Sequence, residues 1–151
     1  MKTVRSSAIS HLISRKKNNK NPSEGIAEIY TRINDLLKVY EPFLDCRVNT
    51  ATHYELWTKH AFRTTSFHPS PKKGIMFVAC AIFDHHVSFY FSPFSYEKQL
   101  AEDMTDNLKQ QLKFKTCFHF KALTKETVHD LKILLKSGWD FYESQHWVSK
   151  N

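Results

Sequence analysis

Hydrophobic and polar positions alternate along this chain with two clear periods. From Glu24 to Tyr40 the apolar side chains Ile26, Ile29, Tyr30, Ile33, Leu36, Leu37 and Tyr40 recur at three- and four-residue steps. That spacing predicts an amphipathic helix with one buried stripe. Ser23 suits its N-cap, Glu24 and Glu28 suit the positive end of its dipole, and Glu41-Pro42 supplies the stop. Between Asp45 and Phe67 the chain is rich in Val, Thr, Tyr, Trp and Phe, and Tyr54-Glu55-Leu56-Trp57-Thr58 alternates, predicting one or two strands. The segment His68 to Gly74 is a polar, proline-bearing connection. Ile75 to Phe83 is apolar on both faces, as a central strand requires. After the short polar link Asp84-His85-His86, Val87 to Phe91 resumes the strand pattern, and the two runs predict an antiparallel hairpin.

Further on, Leu100, Met104, Leu108 and Leu112 fall at four-residue steps and predict a single helix over Tyr96 to Leu112. Phe114, Thr116, Phe118 and Phe120 then alternate with Lys113, Lys115, Cys117, His119 and Lys121, which predicts one strand with an aromatic face and a basic face. Thr124 caps a last helix whose stripe is Val128, Leu131, Leu134, Leu135, Phe141 and Tyr142, with the Trp147 region packed at its end. Strands joined by short links favour antiparallel pairing. The expected fold is therefore an α+β two-layer sandwich, a mainly antiparallel sheet of roughly four to six strands with helices packed on one face.

Composition narrows the picture. A chain of 151 residues, 41% hydrophobic and 25% charged, with three glycines and five prolines, has the makings of one folded domain. No stretch approaches the ~20 apolar residues of a membrane span, so no membrane partner is expected. Three widely spaced cysteines, Cys46, Cys80 and Cys117, argue for reduced thiols and a cytoplasmic setting. So few glycines leave no room for a phosphate loop, a dinucleotide fingerprint or a serine elbow.

The formal charge of +7 is unevenly placed. Six of the 22 basic residues, Lys2, Arg5, Arg15, Lys16, Lys17 and Lys20, precede Ser23 with no acid among them, and the remaining 16 face 15 acids, a balance of +1. Residues 1–22 are thus expected to be a basic flexible arm, and residues 23–151 a nearly neutral domain. Such an arm is a solvated terminus in the simplest reading. As alternatives it contacts phosphates of nucleic acid in a salt-sensitive way, or it serves as an acid-free organelle-targeting segment.

One stretch carries a family resemblance: Lys73-Gly74-Ile75-Met76-Phe77-Val78-Ala79-Cys80-Ala81-Ile82-Phe83-Asp84-His85-His86-Val87-Ser88-Phe89-Tyr90, flanked by the first helix, by Leu112-Lys113-Phe114 and by the Thr124 helix. In this outline, over about residues 24–147, the chain resembles the YdhG-like family of small bacterial proteins. Some of these are similar in fold to frataxins and are regarded as intracellular iron chaperones. The resemblance implies iron as a cargo and an acidic ridge on the first helix, which would fall here on Glu24, Glu28, Asp35 and Glu41. Arg32 and Lys38 intervene, and cations raise the cost of collecting a hard metal ion. The glycine-proline turn frequent in that family is replaced by Phe67 to Pro71.

Nine histidines raise the question of metal, and Asp84, His85 and His86 form the densest cluster. Adjacent residues in a turn point apart, so surface histidines compete with a metal-site reading. Cys80 sits in an apolar strand, where burial raises a thiol pKa. Cys117 is flanked at two-residue spacing by Lys115 and His119, which would favour thiolate, yet a small residue on a half-solvated face explains the same pattern. Should the second sheet face be uncovered, Tyr90 and Phe94 beside Lys113, Lys115, Cys117, His119 and Lys121 would form an aromatic and basic surface. It would suit a flat anionic ligand, single-stranded nucleic acid, a partner protein or a homodimer. The expected function is a non-enzymatic binding or carrier domain for a small ligand, metal or protein. The alternative is a nucleic-acid or acidic-partner adaptor using the basic arm and the lysine-bearing strand.

Overall fold

In the computed structural model, which describes residues 24–59 and 74–150, six strands form one sheet in the order β1-β2-β3-β4-β6-β5. The strands are β1 (Asp45–Asn49), β2 (His53–Trp57), β3 (Met76–Ile82), β4 (Val87–Phe91), β5 (Leu112–Phe114) and β6 (Cys117–Phe120), and every neighbouring pair is antiparallel. The helices are α1 (Glu24–Leu37), α2 (Lys98–Glu102), α3 (Asp106–Gln111) and α4 (Lys125–Ser144). This is the α+β sandwich that the hydrophobic pattern predicts.

The register explains which side chains meet the helices. Tyr54 pairs with Cys80 and Leu56 with Val78, while Cys80 pairs with Phe89, and Phe89 with Phe118. A two-residue side-chain period keeps all of these on one face. There they join Ile26, Ile29, Tyr30, Ile33 and Leu37 of α1 and Leu131, Leu134, Leu135, Trp139 and Tyr142 of α4 in one core. Each large apolar side chain removed from water here stabilises the fold by roughly 1.5–3 kcal/mol. Aromatic contacts fix the far end, where Phe77 meets Trp139 edge-on at 5.7 Å and Tyr142 at 5.3 Å. Polar ties close the layers: the Tyr30 hydroxyl donates to the Thr50 carbonyl at 3.0 Å, and the Tyr54 hydroxyl to Glu41 Oε2 at 2.7 Å.

The opposite face is built from the alternate residues. Trp57, Met76, Ala79 and Ala81 form a second, smaller cluster against which Phe83 and Tyr90 pack. The buried carboxylate of Glu55 accepts from Trp57 Nε1 at 2.9 Å and lies 2.7 Å from His53 Nε2. Strand β2 is buried along its whole length, although its alternating sequence suggests only one covered side.

Two predicted elements are corrected. The helix expected over Tyr96 to Leu112 is split into α2 and α3, because Thr105 turns its hydroxyl to accept from the Leu108 amide and so starts a new helix. The single strand expected over 113 to 121 is a hairpin, β5 and β6, with Lys115 and Thr116 in the turn. Thr124 caps α4 as expected, accepting from the Thr127 amide. The basic arm at 1–22, the Ser23 cap and the connection at 68–73 lie outside the described residues.

Candidate ligand-binding site

Strands β4 and β6 bring the site together. Ser88 pairs with His119 and Tyr90 with Cys117, so these four side chains share the face away from the helices. The β3–β4 hairpin adds Phe83 and His86 at one side, and the β5–β6 hairpin adds Phe114 and Thr116 at the other. Together these residues line a groove of about 530 Å³.

Four rings run across this groove in sequence. Phe83 stacks on His86 with centroids 5.0 Å apart, and His86 stacks on His119 at 3.9 Å with planes 20° apart. Phe114 meets His119 edge-on at 5.8 Å and is 66% exposed, an unusual position for a phenylalanine unless something covers it. His86 Nε2 lies 3.1 Å from the Ser88 hydroxyl.

Electrostatics distinguish the groups. His119 is pushed below the ordinary histidine range by burial and then by the nearby positive charges of Lys113 and Lys121. It is therefore neutral at neutral pH. Burial raises the Cys117 thiol to about 11, with partial relief from hydrogen bonds to Ser88 and Tyr90, and burial also raises the Tyr90 phenol. A thiol held so far toward its neutral form is not a nucleophile at neutral pH. The thiolate that Lys115 and His119 could favour, the lesser of the two readings of this pattern, finds no support: Lys115 sits in the turn, and burial is the largest influence on the thiol. The lining thus combines aromatic walls, the imidazoles of His86 and His119 and no carboxylate, with lysines at the margin.

Of the surface residues expected from sequence, Tyr90, Cys117 and His119 line the groove, Lys113 and Lys121 are exposed beside it, and Lys115 is exposed in the turn. Phe94 is the exception. It is 3% exposed and packs edge-on against Phe91 at 4.8 Å within the helix-side core, because the 3-10 turn Ser92–Ser95 folds it back under the sheet. Sequence reasoning missed Phe83, Ser88, Phe114 and Thr116 as site residues. Their signal lies in pairing: the strict alternation of β4 places Ser88 beside Tyr90, and the hairpin closes Phe114 onto Cys117.

The metal candidates do not converge. Asp84 and His85 occupy the hairpin turn, whereas His86 faces the groove and stacks on rings. On α1, Glu28 and Asp35 are exposed and Asp35 lies 3.6 Å from Lys38, while Glu41 accepts from Tyr54; the Glu24 side chain lies outside the described residues. Among the described residues no group of three or more His, Cys, Asp or Glu side chains is placed to hold a metal ion. No helix among the described residues is long and apolar enough to cross a membrane. Comparison of the chain with protein-family models, with curated proteins and with solved structures gives no match.

Proposed function

We propose that this protein is a non-enzymatic binding or carrier domain, of the kind the YdhG-like resemblance implies, and that it holds a small flat ligand in the groove over β4 and β6. One observation carries this reading: a ring-lined groove of about 530 Å³ with the solvent-exposed Phe114 at its edge. That volume lies in the ~300–1,000 Å³ range of small-molecule sites, and apolar walls with a few convergent polar groups are their usual lining. The non-enzymatic part rests on the buried, protonated state of Cys117 and on a lining that offers no carboxylate beside the histidines.

A second reading, the nucleic-acid adaptor, is favoured by the exposed Phe114 standing beside His119 with Lys113 and Lys121 close by. Bases stack on such rings while lysines meet phosphates. The two readings place their ligands on the same rings and differ in its length and charge.

A fragment titration followed by NMR tests the proposal. Ligands should perturb the amides of Ser88, Tyr90, Cys117 and His119 first, and Phe114→Ser should weaken them at least severalfold, since an exposed ring can be removed without opening the core. Aromatic fragments that leave these amides unmoved up to about millimolar concentration would remove the groove as a ligand site.

A further inference from the structure

We propose that the ligand of this groove is a planar aromatic acid, its ring system lying against the lining rings of Phe83, His86, His119 and Phe114 and its carboxylate reaching Lys113 and Lys121. The inference rests on the groove being a ligand site and goes on to name the ligand's chemistry.

The stacking surface comes first. Phe83, His86 and His119 stack in a row with Phe114 edge-on to its end, and all four rings line the groove. A planar ring offers the same offset or edge-on contacts. An aliphatic chain would forgo them.

Charge then decides between a neutral, a cationic and an anionic ligand. The titratable groups facing His119 are His86 and Tyr90 from the hairpin and β4, Cys117 from its own strand, and Lys113 and Lys121 from β5 and the end of β6. Lys115 follows in the turn, and Asp84 and His85 occupy the β3–β4 turn without lining the groove. A cationic ligand would meet two lysines with no lining carboxylate to offset them. A neutral one would leave their field unanswered. An anion answers it with charge-assisted contacts.

Proton coupling gives this arrangement a signature. His119 is neutral in the empty groove, and a carboxylate beside it stabilises the imidazolium form, so binding takes up a proton. Affinity for an acid should rise as pH falls from about 8 to about 6. For an uncharged ligand the sign reverses, because protonating a partly desolvated imidazole against the ligand's apolar ring costs free energy.

The probes are 2-naphthoate and its uncharged analogue 2-naphthamide, titrated by calorimetry and NMR into the full chain. Naphthoate should bind about tenfold more tightly than naphthamide. That preference should vanish in the Lys113→Gln/Lys121→Gln double variant, whose substitutions are exposed and leave the core untouched. His119→Gln should flatten the pH dependence. Equal affinity for the two probes, or a preference that survives the double lysine variant, would overturn the aromatic acid while leaving the groove a ligand site. Failure of both probes to move the groove amides would overturn both readings. Displacement of naphthoate by a thymidylate oligomer at lower concentration, with a steep salt dependence, would assign the site to single-stranded nucleic acid instead.

Discussion

The Tyr142 hydroxyl on α4 donates to the main-chain carbonyl of Met76 at 2.8 Å, spanning 66 residues of sequence. Met76 stands where the register between β2 and β3 shifts, so the bond fixes the last helix to the sheet at its irregular point. Tyr142→Phe keeps the ring among Phe77 and Trp147 but leaves a buried carbonyl without this donor. It should cost about 1–2 kcal/mol, read as a lower urea midpoint with an unchanged slope. No loss of stability would mean that water takes over the donor's role.

The two helical glycines should respond to alanine with opposite signs. A Cβ at Gly138 would collide with Phe91 Cζ and lie 2.9 Å from Phe91 Cε1 and 3.0 Å from Pro93 Cγ, whereas a Cβ at Gly25 meets nothing within 4 Å. Phe91 is fully buried and has nowhere to move. Gly138→Ala should destabilise by about 1–3 kcal/mol despite the gain in helix propensity, and Gly25→Ala should stabilise by up to about 1 kcal/mol. Thermal unfolding of both variants checks the pair; a more stable Gly138→Ala would show that α4 can slide on the sheet.

How far the sequence reveals this fold depends on whether a pattern is local. The α1 stripe and the β3–β4 hairpin are local, and the structure has both. Where the period continued through a break, the pattern misled. Leu100, Met104 and Leu108 keep four-residue spacing, yet the first helix stops at Glu102 and the Thr105 hydroxyl caps the start of another. The alternation from Phe114 to Phe120 survives a two-residue turn, yet a register shift in β5 sets Phe114 opposite Cys117. Phe114 thereby leaves the aromatic face it shares in the sequence and joins the groove. Tyr90, Cys117 and His119 are legible as one surface of the groove, whereas Ser88, Phe83, Phe114 and Thr116 depend on how the two hairpins pair and turn.

All three thiols should be slow toward iodoacetamide at neutral pH. Burial raises Cys46 and Cys117 to about 11, with Glu41 and Asp45 adding to the effect at Cys46, and burial raises Cys80 further. Labelling followed by peptide mass spectrometry should rank Cys46 first, because it is the least buried, and Cys80 last. All rates should climb as pH approaches about 11 for the first two. Cys117 reacting faster than free cysteine would restore a thiol-based activity to the groove.

Thr105 has two duties: its hydroxyl oxygen accepts from the Leu108 amide, and it donates to Asp130 Oδ2 at 2.9 Å. Asn107 donates to the same carboxylate oxygen at 3.0 Å. Thr105→Ala removes a helix cap and one of these donors to a buried acid, and should cost about 2 kcal/mol by denaturant titration. Thr105→Ser should recover most of it. Equal losses for both would move the effect to the threonine methyl group.

Both outermost strands carry a register break, between Cys46 and Val48 in β1 and between Leu112 and Phe114 in β5. A kinked edge offers an incoming strand no continuous row of amides and carbonyls. Within the described sheet these breaks disfavour side-by-side lengthening by further copies. On the sheet face, Phe114 is the exposed aromatic of the groove and the natural contact for a second copy. A dimer formed in that way would cover the groove, so crowding and ligand would act as competitors, and dilution alone would make the site available.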